Sequence, residues 1–128
     1  MPVNKLFDNN IGLMGKSLNL RSERQGLIQS NIANLETPGY KVQDFSFNRV
    51  METVMASQGT LSRTQPGHIS LDPVETSRSL DFKEEDRPVD LDEEMLKLSE
   101  NQLMFEVVAK LIAKKFDGLR YAIEEGGK

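Results

Sequence analysis

Ile11, Met14, Leu18, Arg21, Gln25, Ile28, Ile32 and Leu35 follow one another at alternating steps of three and four residues, and six of the eight are apolar. That spacing is the seam of a coiled coil and predicts a helix over about residues 9 to 35. The polar breaks at Arg21 and Gln25 are of the kind that fixes register and partner choice. Gly12, Gly15 and Gly26 each weaken the helix by ~1 kcal/mol relative to alanine. Left alone it is marginal. Its expected end is Thr37-Pro38-Gly39, because a proline drives its predecessor out of the helical region and Pro-Gly favours a type II turn.

A stronger pattern closes the chain. Leu91, Met95, Leu98, Gln102, Phe105, Ala109, Ile112, Phe116, Leu119 and Ile123 keep the three-four alternation without a slip, and nine of the ten are apolar. They predict a helix over about residues 91 to 125, on the order of 50 Å long. Asp90 and Glu93 fit an Asp-x-x-Glu capping box at its start, and Gly126-Gly127 ends it.

The segment between is less regular. Phe47, Val50, Met51 and Val54 predict a short amphipathic helix ending near Gly59, followed by a possible strand over 60–64 and a turn at Pro66-Gly67. Eight acids between Asp81 and Glu94, with prolines at 73 and 88, read as an extended, solvated connector. The expected class is mainly α: a coiled-coil helix and turn over 1–40, a variable and partly β middle over 41–90, and a second coiled-coil helix over 91–128, the two long helices pairing.

One stretch exceeds what a helix pair needs. Nine of the eleven residues at 103–113 are apolar. Phe105, Ala109 and Ile112 lie on the seam, whereas Leu103, Met104, Val107, Val108 and Leu111 point elsewhere around the cylinder. A helix apolar on nearly all sides must be surrounded, and each of those side chains gains ~1.5 kcal/mol or more on burial. Either other molecules cover them or the middle segment folds back over them.

Composition narrows the function. The 128 residues contain no Cys, no Trp and one His, and carry 16 Lys+Arg against 20 Asp+Glu, a net charge of −4. Thiolate chemistry, disulfides and multi-histidine metal sites are excluded, and mild acidity with scattered bases argues against nucleic acid. No run reaches the ~18 apolar residues of a membrane span. Residues 1–8 lack the apolar stretch and cleavage site of a secretory signal, so if the protein leaves the cytoplasm its route must read something else. An export element near Phe7 and Ile11 is one possibility. His68 has no imidazole or thiol partner and reads as a turn residue. The acids at 90, 92, 93 and 94 lack calcium-loop spacing and read as a helix start. Gly12-Leu13-Met14-Gly15 has no following Lys-Ser/Thr and is not a phosphate loop. Neither an enzyme, a cofactor nor a small-molecule substrate is expected.

Asn31-Ile32-Ala33-Asn34-Leu35-Glu36-Thr37-Pro38-Gly39-Tyr40-Lys41 resembles the Asn-x-Ala-Asn-x-x-Thr-Pro-Gly-Tyr/Phe-Lys signature of the bacterial flagellar rod and hook family, in which it ends the first long helix. The signature residues here are Asn31, Ala33, Asn34, Thr37, Pro38, Gly39, Tyr40 and Lys41. A short middle resembles the small proximal-rod members rather than those with long insertions. Thr64-x-Pro66-x-His68-Ile69 and the tail Phe116-Asp117-Gly118-Leu119-Arg120-Tyr121-Ala122-Ile123 are similar to stretches of one proximal type. The tail departs from the Ser-Tyr-Glu-Ala-Asn ending of the companion rod protein C. The resemblance implies a structural subunit exported by the flagellar type III apparatus without a cleaved signal and assembled in the periplasm into a torque-transmitting rod. Its partners would be other copies, neighbouring rod proteins, the membrane ring at the rod base and the export apparatus. The seam residues Ile11, Met14, Leu18, Ile28, Ile32, Leu98, Phe105, Ile112, Phe116, Leu119 and Ile123 would close the intramolecular pair, while Leu103, Met104, Val107, Val108 and Leu111 would face neighbours. The competing reading is a self-contained helical-hairpin adaptor or regulator.

Overall fold

The computed structural model describes residues 3–64, 73–74, 83–85 and 87–127. Helix α1 spans Val3–Ala33, strand β1 Val42–Asp44, helix α2 Phe47–Thr64, strand β2 Lys83–Glu85 and helix α3 Leu91–Gly126. The class is mainly helical, with long helices at both ends and a small mixed middle. Among the described residues no helix is long and apolar enough to cross a membrane.

Helix α1 begins at Val3, eight residues before the first seam position at Ile11, since nothing from Val3 to Asn10 breaks a helix. It ends on the expected turn. The Tyr40 amide donates to the Thr37 carbonyl at 3.3 Å, and Gly39 sits at φ 75, which a type II turn requires and an L side chain resists. The chain then runs antiparallel to itself, with Val42 opposite Glu85, Gln43 opposite Glu84 and Asp44 opposite Lys83. Within the acidic connector, Lys83–Glu85 is paired as a strand and the residues from Leu91 on are helical, where an extended, solvated stretch was expected.

The α2 region departs from the sequence expectation. Helix continues through Gly59 to Thr64, where a strand was expected over 60–64. A single interior glycine costs only ~1 kcal/mol, less than the bonds gained by continuing. The expected turn at Pro66-Gly67 and His68 lie outside the described residues.

Two faces of α1 are used. Leu13, Leu20 and Leu27, seven residues apart, pack with Phe45, Phe47, Val50, Met51 and Val54 to form the apolar core. Leu20, Val50 and Val54 are fully buried, each contributing about 1.5–3 kcal/mol relative to exposure. The other face of α1 meets α3, which runs antiparallel: Asn31 lies level with Glu94, and Arg21 and Gln25 with Asn101. Among the described residues, α2 packs on α1 and does not approach α3.

Candidate functional site: a polar hub and an uncovered helix face

Where α1 ends, one side chain ties three elements together. Asn31 is fully buried, and its amide makes four hydrogen bonds. Its Nδ2 donates to the Gln43 carbonyl at 2.9 Å and to Glu94 Oε2 at 3.0 Å. Its Oδ1 accepts from the Gln43 amide at 3.1 Å and from the Tyr40 hydroxyl at 3.0 Å. Towards Gln43 the carboxamide thus behaves as a strand residue would, giving one donor and one acceptor to the same backbone unit. Tyr40 also meets Ser30 Oγ at 3.2 Å. Asn34 donates to the Ser30 carbonyl at 2.8 Å and accepts from the Thr37 hydroxyl at 3.1 Å, which closes the helix end onto the turn. Ala33, Thr37, Pro38, Gly39 and Lys41 are exposed. The signature is therefore one device: the asparagines and Tyr40 bond inward while Pro38-Gly39 shapes the reversal.

Ion pairs surround the hub. Lys97 Nζ lies 3.3 Å from Asp44, 3.0 Å from Glu93 and 3.2 Å from the fully buried Glu94. Arg24 engages Asp44 through Nε and Nη2 at 3.2 and 3.3 Å, and Arg87 grips Glu93 at 3.1 and 3.0 Å. The Arg87 and Lys97 hydrogen bonds hold the Glu93 carboxyl below its ordinary value. Burial, the largest single influence on Lys97, opposes its charge, but Glu93, Asp44 and Glu94 together outweigh it and raise its pKa. Asp90 caps α3 by accepting from the Asp92 and Glu93 amides at 3.1 and 3.3 Å. Only that half of the expected capping box forms, because the Glu93 side chain is drawn to Arg87 and Lys97.

Further along, α3 is held on one side only. On the α1 side, Leu98, Val108, Ala109, Ile112 and Leu119 are half-buried and Asn101 is buried. Asn101 Nδ2 donates to the Arg21 carbonyl at 2.8 Å and to Gln25 Oε1 at 2.9 Å. Of the proposed seam, Ile28 is fully buried, and Ile11, Met14, Leu18, Ile32, Leu98, Ile112 and Leu119 are half-buried. Phe105, Phe116 and Ile123 are exposed, Ile123 to 72%. The contact face is turned relative to the apolar count, taking Asn101 where the pattern places Gln102. The polar matches of Glu94 with Asn31 and Asn101 with Arg21 and Gln25 set that rotation. Of the neighbour-facing set, Leu103, Met104, Val107 and Leu111 are exposed, Leu103 to 61% and Leu111 to 44%, and Val108 is half-buried.

Sequence reasoning passed over Glu94 and Asn101, which periodicity assigns to the surface. The available signal was the pair of polar breaks at Arg21 and Gln25, which call for polar partners opposite. Among the described residues, no group of three or more His, Cys, Asp or Glu is placed to hold a metal ion.

The likeness to known proteins is spread along the whole chain. It is 30% identical to the flagellar basal body rod protein FlgB of Yersinia enterocolitica, over 94% of this chain and 97% of that protein. It is 26% identical to the protein of the same name from Bacillus subtilis, over 96% and 98% of the two chains. For that of Salmonella typhimurium the values are 28%, 87% and 90%. No protein-family model matches the chain. Relatives of this kind favour a structural rod subunit over a hairpin adaptor and over the companion rod protein C.

Proposed function

The chain belongs to the FlgB family of flagellar basal body rod proteins, and from that premise we propose that this structural subunit polymerises through the face of α3 that α1 leaves uncovered. The carrying observation is the exposure of Leu103, Met104, Val107 and Leu111 in a single copy, while Phe45 and α2 pack on α1. Contiguous exposed apolar surface marks an interaction site. The seam residues hold the hairpin together, and the hub at Asn31 fixes the direction in which the middle leaves it.

The subunit reaches the periplasmic rod through the flagellar export apparatus without a cleaved signal. There it joins other copies, neighbouring rod proteins and the membrane ring at the rod base, and it performs no catalysis. A charge placed on the uncovered face must block joining without disturbing export. Val107→Asp or Leu111→Asp is expected to leave secreted subunit at normal levels while rods, counted in isolated basal bodies by electron microscopy, are lost. Rods of normal number and length in both variants would remove α3 from the assembly surface.

A further inference from the structure

A cavity of about 230 Å³ opens between α1 and α3, lined by Arg21, Ser22, Gln25, Asn101, Gln102 and Phe105. Arg21 dominates its chemistry. The guanidinium lies 3.8 Å from the centre of the Phe47 ring. Its Nη1 reaches Asn101 Oδ1 only at 3.5 Å, the long limit of a hydrogen bond. Its Nε is buried with no acceptor. Among the described residues no acid pairs with Arg21, and the nearby charge is Arg24, of like sign. The amides opposite are already engaged, since Asn101 Nδ2 serves the Arg21 carbonyl and Gln25. A guanidinium held over an aromatic ring, with one long hydrogen bond and an Nε that has no acceptor, is complementary to a carboxylate.

The uncovered end of α3 carries such groups. Glu124 meets only Arg120, at 3.7 Å and in full view of solvent, and the Glu125 carboxylate has no partner among the described residues. Tyr121 and Ile123 stand exposed beside them. Within one copy these acids cannot reach the cavity. Asn101 and Glu124 lie on the same continuous helix, about 35 Å apart at its rise per residue. Glu124 or Glu125 could fill the cavity only from another molecule.

We propose that the Arg21 cavity receives the acidic last turn of α3, Glu124 and Glu125, from a second copy of the chain, with Tyr121 and Ile123 covering the exposed apolar residues beside it. The contact rests on the polymerising role given above and specifies one of its joints. Where the two patches of one copy engage different neighbours, the contact is heterologous and propagates along the assembly.

Disulfide trapping tests it directly, as the chain has no cysteine of its own. Ser22→Cys combined with Glu125→Cys in the full-length subunit is expected to yield a ladder of dimers, trimers and longer species from oxidised basal bodies, and neither single variant should. Arg21→Glu is expected to weaken assembly about tenfold or more, and Arg21→Glu with Glu124→Arg and Glu125→Arg to restore most of it. Absence of the ladder in rods that do assemble overturns the joint, whatever the folding of the Arg21 variants. If the ladder is absent while Val107→Asp still blocks assembly, the joint fails and the polymerising face stands. Normal rods from Val107→Asp would instead strike at the wider reading.

Discussion

Asn31 shows how much one buried carboxamide can organise when all of its hydrogen-bonding capacity is used. Both Gln43 backbone groups, the Tyr40 hydroxyl and the Glu94 carboxylate depend on it. Asn31→Leu leaves the buried Glu94 and the half-buried Tyr40 and Gln43 without it, and the expected loss is about 3 kcal/mol, read as a lower urea midpoint at unchanged slope. Asn31→Asp is expected to be worse at neutral pH, since it sets a second carboxylate against Glu94 and removes both donors. The importance of Asn31 was legible from the signature, but its task was not. Bonds to residues 40, 43 and 94 depend on a tertiary arrangement that neither spacing nor propensity encodes. Glu94 and Asn101 were hidden for a related reason. A polar residue becomes an interior one only when a partner is waiting, and that partner lies more than sixty positions away.

At the level of elements, the start of α3 is an electrostatic joint and the length of α1 is a weak rod. Glu93 has a depressed pKa, so its contribution is complete above the ordinary 4.5 and disappears as pH falls through its lower folded value. Lys97 has a raised pKa, so its contribution is complete below the ordinary 10.5 and disappears as pH rises through its higher folded value. The midpoint of thermal unfolding is therefore expected to be flat between those limits and to fall on either side. Arg87→Ala should soften the acid limb specifically. In α1, a methyl group added at Gly15 or Gly26 meets nothing within 4 Å. Gly15→Ala and Gly26→Ala are each expected to stabilise the subunit by about 1 kcal/mol, with more helix in the circular dichroism of the isolated chain.

The same scale shows where periodicity is informative. Both long helices and the Pro38-Gly39 stop could be read from spacing alone, because amphipathic stripes and turn residues are local signals. The rotation of α3 could not, since polar matches override the apolar count at Asn101. The fate of Gly59 was misjudged because a glycine lowers helix stability without setting a boundary.

For the whole molecule, the decisive fact is which surface the middle segment selects. Leu13, Leu20 and Leu27 accept Phe45 and α2, so α1 is clad on two flanks, whereas α3, beyond the Lys97–Asp44 ion pair near its start, leans on α1 alone among the described residues. The sequence showed that residues 103–113 carry more apolar surface than one partner helix can cover, but it left open what would cover it. The placement of α2 shows that this part of the middle segment is spent on α1.

The little ribbon of Val42–Asp44 and Lys83–Glu85 brings the departing and returning strands side by side. To the helical hairpin, the segment between them therefore leaves and returns at one clasp, with α2 fastened to the outer flank of α1. Its size can grow or shrink across evolution without prising the two shafts apart, and a common axle can carry ornaments of very different bulk.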